Sequence, residues 1–198
     1  MSIFTNVLQN TRNTLNKPVN VTAQEWYRQK AQEVRSVSPG KIITDNTDHT
    51  KTTIKPGFMY LFGYDPKMKD ELPYYDRFPL IFPFASDGDG FLAMNLHYLP
   101  LNFRAKLMDN LYPLVTNLKF DETTRIKASY NMLNSVAKYK YFKPCVKKYL
   151  NGHLKTKFLL IPANEWDIAL FLPLQRFQKA TPNQVYKDSR AMINGLQR

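Results

Sequence analysis

Between Lys138 and Lys157 the chain carries seven lysines and no acidic residue, with Tyr139, Tyr141, Phe142 and Tyr149 set among them. That combination has a specific chemistry. Ammonium groups neutralise phosphates, and aromatic faces give bases something to stack on. Lys138, Lys140, Lys143, Lys147, Lys148, Tyr149, Lys155 and Lys157 are therefore the candidate nucleic-acid-binding residues. A short basic helix is expected around residues 144–151, with Pro144 in its first turn and an end at Asn151-Gly152. Lys143 and Lys147, four apart, would share a side of it. A strand after it would place Lys155 and Lys157 on one face, because side chains alternate. The competing reading is a solvated basic face, or a surface that docks on an acidic protein.

The excess is local. From residue 138 to the end, 12 Lys and Arg stand against 3 Asp and Glu, whereas residues 61–137 hold 8 against 9. Charge segregated in this way, in a chain of net charge +12, points to a polyanionic partner such as nucleic acid or a membrane surface. Lysine dominates arginine in the basic part, which suits phosphate contacts that position without reading bases.

Other chemistry finds less support. Asp65, Asp70, Glu71, Asp76, Asp87 and Asp89 crowd one stretch, as carboxylates for magnesium would. Asp, Gly and Pro are also turn formers, and two solvated loops explain the same residues. His49, His97 and His153 belong to no spaced ligand motif, and His97 reads as a hydrogen-bonded structural residue. Cys145 is the only cysteine; it reads as a small buried hydrophobe and suits a reducing compartment. No glycine-rich phosphate loop and no nucleophile elbow appear. The expectation is a protein that is not an enzyme, with no metal, no cofactor and no small-molecule substrate. No run of about 18 apolar residues is present, so no membrane-spanning helix is expected, and the N-terminus lacks a secretion pattern.

The elements that must position the lysines follow from periodicity. Residues 1–21 read as a polar arm. Thr22 and Glu25 form a capping box for a helix over about 23–35, stopped by Ser38-Pro39-Gly40. Residues 41–56 look like an exposed linker, and 57–198 like a single α+β domain. Phe58, Tyr60, Phe62 and Tyr64 alternate along a strand; they could stack bases, but packing on a half-buried sheet is favoured. Pro79–Ala85 is a second strand, at an edge or bent because of Pro79 and Pro83. Asp87-Gly-Asp-Gly90 is a hairpin turn, and Phe91–Tyr98 a third strand. Phe103, Leu107, Leu111, Leu114 and Leu118 repeat at helical spacing, with an end or kink near Tyr112 forced by Pro113. Asp121 caps a helix over 122–138. Lys157–Ile161 returns to the sheet, 163–171 is helical, and a last helix runs from Thr181-Pro182 to Asn194-Gly195. The expected fold is α+β: a small antiparallel meander packed with several helices, with an extended N-terminal arm.

Five segments occur in one order: Tyr64-Asp-Pro-Lys67, Leu72-Pro-Tyr-Tyr-Asp-Arg-Phe-Pro-Leu80, Gly90-Phe-Leu92, Asn95-Leu-His-Tyr-Leu-Pro100 and Phe142-Lys-Pro-Cys-Val-Lys-Lys-Tyr-Leu150. This order resembles the DNA end protector, or head-completion, family of structural proteins of T-even-like contractile-tailed phages, over residues 55–190. The same pattern also suits a tail, neck or baseplate component of such phages, bound to neighbouring subunits instead of DNA. The resemblance implies a non-enzymatic virion protein, present in the host cytoplasm during assembly. Its partners would be the end of packaged double-stranded DNA and other virion subunits such as portal, neck or tail proteins. It supplies no catalytic residues.

Overall fold

The computed structural model describes residues 2–4, 7, 23–115, 117, 119, 121–138 and 140–195. In chain order these form α1 (Ala23–Glu33), α2 (Pro39–Asp45), β1 (Thr50–Lys51), β2 (Met59–Leu61), β3 (Tyr75–Asp76), β4 (Leu80–Asp87), β5 (Gly90–Asn95), α3 (Leu101–Val115), α4 (Glu122–Lys138), β6 (Val146–Leu150), β7 (Phe158–Ile161), α5 (Trp166–Phe171), β8 (Phe177–Gln178) and α6 (Pro182–Gly195). Six strands make one sheet in the order β1-β7-β2-β4-β5-β6, and β3 pairs with β8 separately. Every pairing is antiparallel. The α+β class and the meander through β2, β4 and β5 are as the alternating apolar pattern predicts.

Alternation sorts the sheet's side chains into two cores. Met59, Leu61, Leu80, Phe82, Met94, Leu159 and Ile161 face the larger one, to which the helices contribute Ala31, Ile42, Leu107, Leu111, Leu133 and Ile168. Tyr60, Phe62, Ile81, Phe91, Ala93, Tyr149 and Phe158 face the smaller one, which takes no residue from any described α-helix. The helices therefore cover one face. The other is an aromatic cluster centred on Phe62, fully buried, whose ring meets Tyr149 at 5.4 Å and Phe158 at 5.0 Å edge-on. Tyr60, Phe62 and Tyr64 are core and half-buried Phe58 packs against them, so the alternating aromatics offer no stacking platform.

Several expectations change. Ser38-Pro39-Gly40 does not stop a helix but starts one: the Ser38 side chain accepts a hydrogen bond from the Lys41 N–H, and Pro39 sits in the first turn of α2. The supposed linker 41–56 thus holds most of α2, with Ile42 and Ile43 in the core, and the edge strand β1. Of the two readings of its prolines, the edge fails and the bend holds: β4 lies in the middle of the sheet, with a register shift between Pro83 and Ala85. The third strand ends at Asn95, and 96–98 form a 3-10 turn. α3 continues through Pro113 to Val115, the proline falling in its last turn. Asp121 does cap α4, accepting from the Thr124 N–H at 2.7 Å. Most of the expected 1–21 arm, and Thr22 of the expected capping box, lie outside the described residues. Ile3 and Phe4 are buried, their amides bound by the Glu165 carboxylate at 2.9 and 3.2 Å.

Candidate nucleic-acid interface

The largest correction falls on the basic stretch itself. Residues 140–145 form a 3-10 segment and 146–150 form β6, an edge strand on β5; there is no helix over 144–151. β-branched Val146 and aromatic Tyr149 favour a strand, and the cross-strand pair Phe91–Tyr149 anchors its register. Lys143 and Lys147 consequently do not share a helix face.

In a strand, Lys147 and Lys148 point to opposite sides. Lys147 is half-buried, its Nζ 4.1 Å from the centroid of the Tyr98 ring, and burial lowers its pKa from the ordinary lysine value. Lys148 is exposed and paired with Asp87 at 3.0 Å and Asp89 at 3.6 Å across the hairpin turn. Tyr149 is 4% exposed, stacked on Phe91 at 5.5 Å, and accepts a hydrogen bond from Asn95 Nδ2. Its ring is not available to a base. Lys143 is exposed on the 3-10 segment. The side chains of Lys138 and Lys140 lie outside the described residues.

Lys155 and Lys157, both exposed, lie elsewhere, on the return loop into β7. The loop is stitched to the end of β2: the Lys155 N–H donates to the Gly63 carbonyl at 2.8 Å, and the Gly63 N–H to Thr156 Oγ1 at 2.8 Å. Backbone bonds then link Tyr64 to Arg77 and Arg77 to Arg176. Chain segments far apart in sequence so bring Lys69, Arg77 and Lys155 around one open groove of about 440 Å³. Lys51 pairs across β1–β7 with Phe158, the residue after Lys157. One carboxylate enters the group, Asp65, 3.3 Å from Lys69 Nζ and 3.8 Å from Lys155 Nζ. This end of the sheet carries the exposed cations Lys51, Lys69, Arg77, Lys155 and Lys157, of which Lys69, Arg77 and Lys155 line the groove.

The acidic residues disperse. Asp65, Asp87 and Asp89 pair with lysines, and Asp76 is buried against His97. Among the described residues, no group of three or more His, Cys, Asp or Glu is placed to hold a metal ion. Cys145 is fully buried and burial pushes its thiol up to about 12, so it is not a nucleophile at neutral pH. No helix among the described residues is long and apolar enough to cross a membrane.

The family model for the phage T4 terminal DNA protecting protein matches residues 4–191. The chain belongs to that family. No match was found among curated proteins or among solved structures. The match spans nearly all of the chain and takes in α1, α2 and β1 together with the sheet.

Sequence reasoning missed Lys51, Lys69 and Arg77 as members of a basic cluster. Charge counted along the chain hides them, since Lys69 and Arg77 lie in the stretch where acids outnumber bases. Only the pairing of β7 with β1 and β2, and of β3 with β8, brings them to Lys155.

Proposed function

We propose that this chain binds the ends of packaged double-stranded DNA in the phage particle without reading base sequence, and completes the head where it meets the neck. The observation that carries this reading is the match of the terminal DNA protecting family over residues 4–191. The basic cluster of Lys51, Lys69, Arg77, Lys155 and Lys157 supplies the physics, because cations on a rigid sheet end neutralise phosphates of any sequence. Lys143 adds charge from the 3-10 segment, whereas Lys147 and Lys148 are engaged within the protein. Exposed large apolar side chains among the described residues are few: Met68, Leu72, Leu101 and Met192. That favours DNA over an apolar subunit interface as the main partner, with portal, neck or tail subunits meeting the remaining surface.

The test is protection. The purified chain should slow exonuclease digestion of a linear duplex while leaving endonuclease nicking of a closed circle unchanged. Digestion at the same rate with and without saturating protein would sink the proposal. Protection of circle and linear duplex alike would reduce it to general DNA coating.

A further inference from the structure

A basic surface holds a duplex anywhere along its length, so it cannot by itself choose an end. An end differs from the interior in few ways, and one is chemical: a terminal phosphomonoester, which carries about −1.5 to −2 charge at neutral pH, in place of the single charge of a phosphodiester. The groove at the basic end of the sheet matches that group. Its volume of about 440 Å³ is that of a small-ligand pocket and far below that of a duplex. Lys69, Arg77 and Lys155 line it with the single carboxylate Asp65, a net of +2. Asp65 is shared between the two lysines, and Arg77 has no carboxylate partner among the described residues. A free guanidinium is the group that forks onto two phosphate oxygens. Half-buried Tyr75 and Gln178, paired across β3–β8, form another wall of the groove, where a terminal sugar or base would rest.

The cationic wall is held in place. Lys179 adopts a left-handed conformation at φ 66, and its Nζ donates to the carbonyls of Lys69 at 2.7 Å, Asp70 at 2.9 Å and Leu72 at 3.2 Å. A non-glycine residue in that region is strained, and here it aims an ammonium at the turn that carries Lys69. Lys155 is fixed from the other side by its backbone bond to Gly63. The backbone that carries Lys69 and Lys155 is therefore fixed before a ligand arrives.

We infer that this groove receives the terminal phosphomonoester of a DNA strand, with Arg77 forking onto its oxygens and Lys69 and Lys155 balancing its second charge. The inference rests on the reading of the chain as a DNA-end binder. The experiment titrates the full chain with one short duplex in four forms: phosphorylated at its 5′ ends, phosphorylated at its 3′ ends, bearing hydroxyls at both, and closed by hairpin loops. One phosphorylated form should bind about tenfold tighter than the hydroxyl form. Arg77→Ala and Lys155→Ala should each weaken every form, the closed duplex included, through the lost phosphate contact, and should in addition bring the phosphorylated and hydroxyl forms to near parity. Equal affinity for phosphorylated and hydroxyl ends, with the closed duplex weaker, would overturn the groove assignment and leave end binding standing. A preference that survives both substitutions would overturn it too. Equal affinity for all four forms would remove end binding as well.

Discussion

Asp76 Oδ2 lies 2.6 Å from His97 Nδ1 in the interior, both residues almost wholly buried. Burial alone would raise the Asp76 carboxyl. The hydrogen bond from His97 and the N–H groups of Arg176 and Phe78 outweigh it and hold the carboxyl below its ordinary value. Burial is the largest influence on His97 and holds its imidazole below 6.5, so the pair is a carboxylate with a neutral histidine donating through Nδ1.

Stability against acid follows from this pair. Below pH 6.5 the unfolded chain's histidine binds a proton that the folded one refuses, so stability falls as pH falls. Asp76, also depressed on folding, acts in the same sense at lower pH. Thermal unfolding followed from pH 8 to pH 5 should show a plateau above about 6.5 and a declining midpoint below it. His97→Gln should lower stability by roughly 2 kcal/mol at pH 7, the value of a buried hydrogen bond to a charged group, and should flatten the decline. A wild-type midpoint that rises on acidification would contradict the assigned protonation states.

Lys147 and Lys155 should separate packing from surface charge. The Lys147 stem is half-buried, and its ammonium sits over Tyr98. Lys147→Ala should cost about 1–2 kcal/mol through lost packing and cation–π attraction. Lys155→Ala, at an exposed position, should leave the melting midpoint nearly unchanged. Equal effects of the two on the midpoint would refute the placement of β6.

Gly90 begins β5 where the chain passes against β6. A Cβ there would lie 2.0 Å from the Tyr149 carbonyl oxygen, a backbone atom that cannot rotate away. Gly90→Ala should therefore destabilise by about 3 kcal/mol. Gly152→Ala is the control, because nothing lies within 4 Å of the added atom and its φ is not positive. Comparable denaturation midpoints for the two variants would show that β5 and β6 do not approach this closely.

The parts of this fold that were legible in the sequence are those where one period dominates. Phe58 to Tyr64 alternates, Leu107 and Leu111 fall on one helix stripe, and Asp121 announces α4 with a cap. The basic stretch deceived because lysine is compatible with both helix and strand. The spacing of Lys143 and Lys147 fits a helix, but cross-strand packing of Tyr149 on Phe91 decides for a strand. The basic cluster was half visible. Lys155 and Lys157 stand out by local density, but Lys51, Lys69 and Arg77 come to the same end of the sheet only through long-range pairing, which linear counting does not contain.

That cluster sets the salt dependence of binding. Lys51, Lys69, Arg77, Lys155 and Lys157 are five cations, and if each neutralises one phosphate the slope of log affinity against log salt should be about −4.5 on duplex DNA. Lys155→Glu with Lys157→Glu should flatten the slope by about two units, and should weaken binding equally on unrelated sequences. Lys148→Glu should change the slope much less, since the Lys148 ammonium is already occupied by Asp87 and Asp89. Affinity titrations from low to moderate salt on two duplexes of different sequence decide it. A flat salt response would remove phosphate neutralisation from the mechanism. A slope that falls more for Lys148→Glu than for the double substitution would move the DNA from the β2–β7 end of the sheet to the β6 edge.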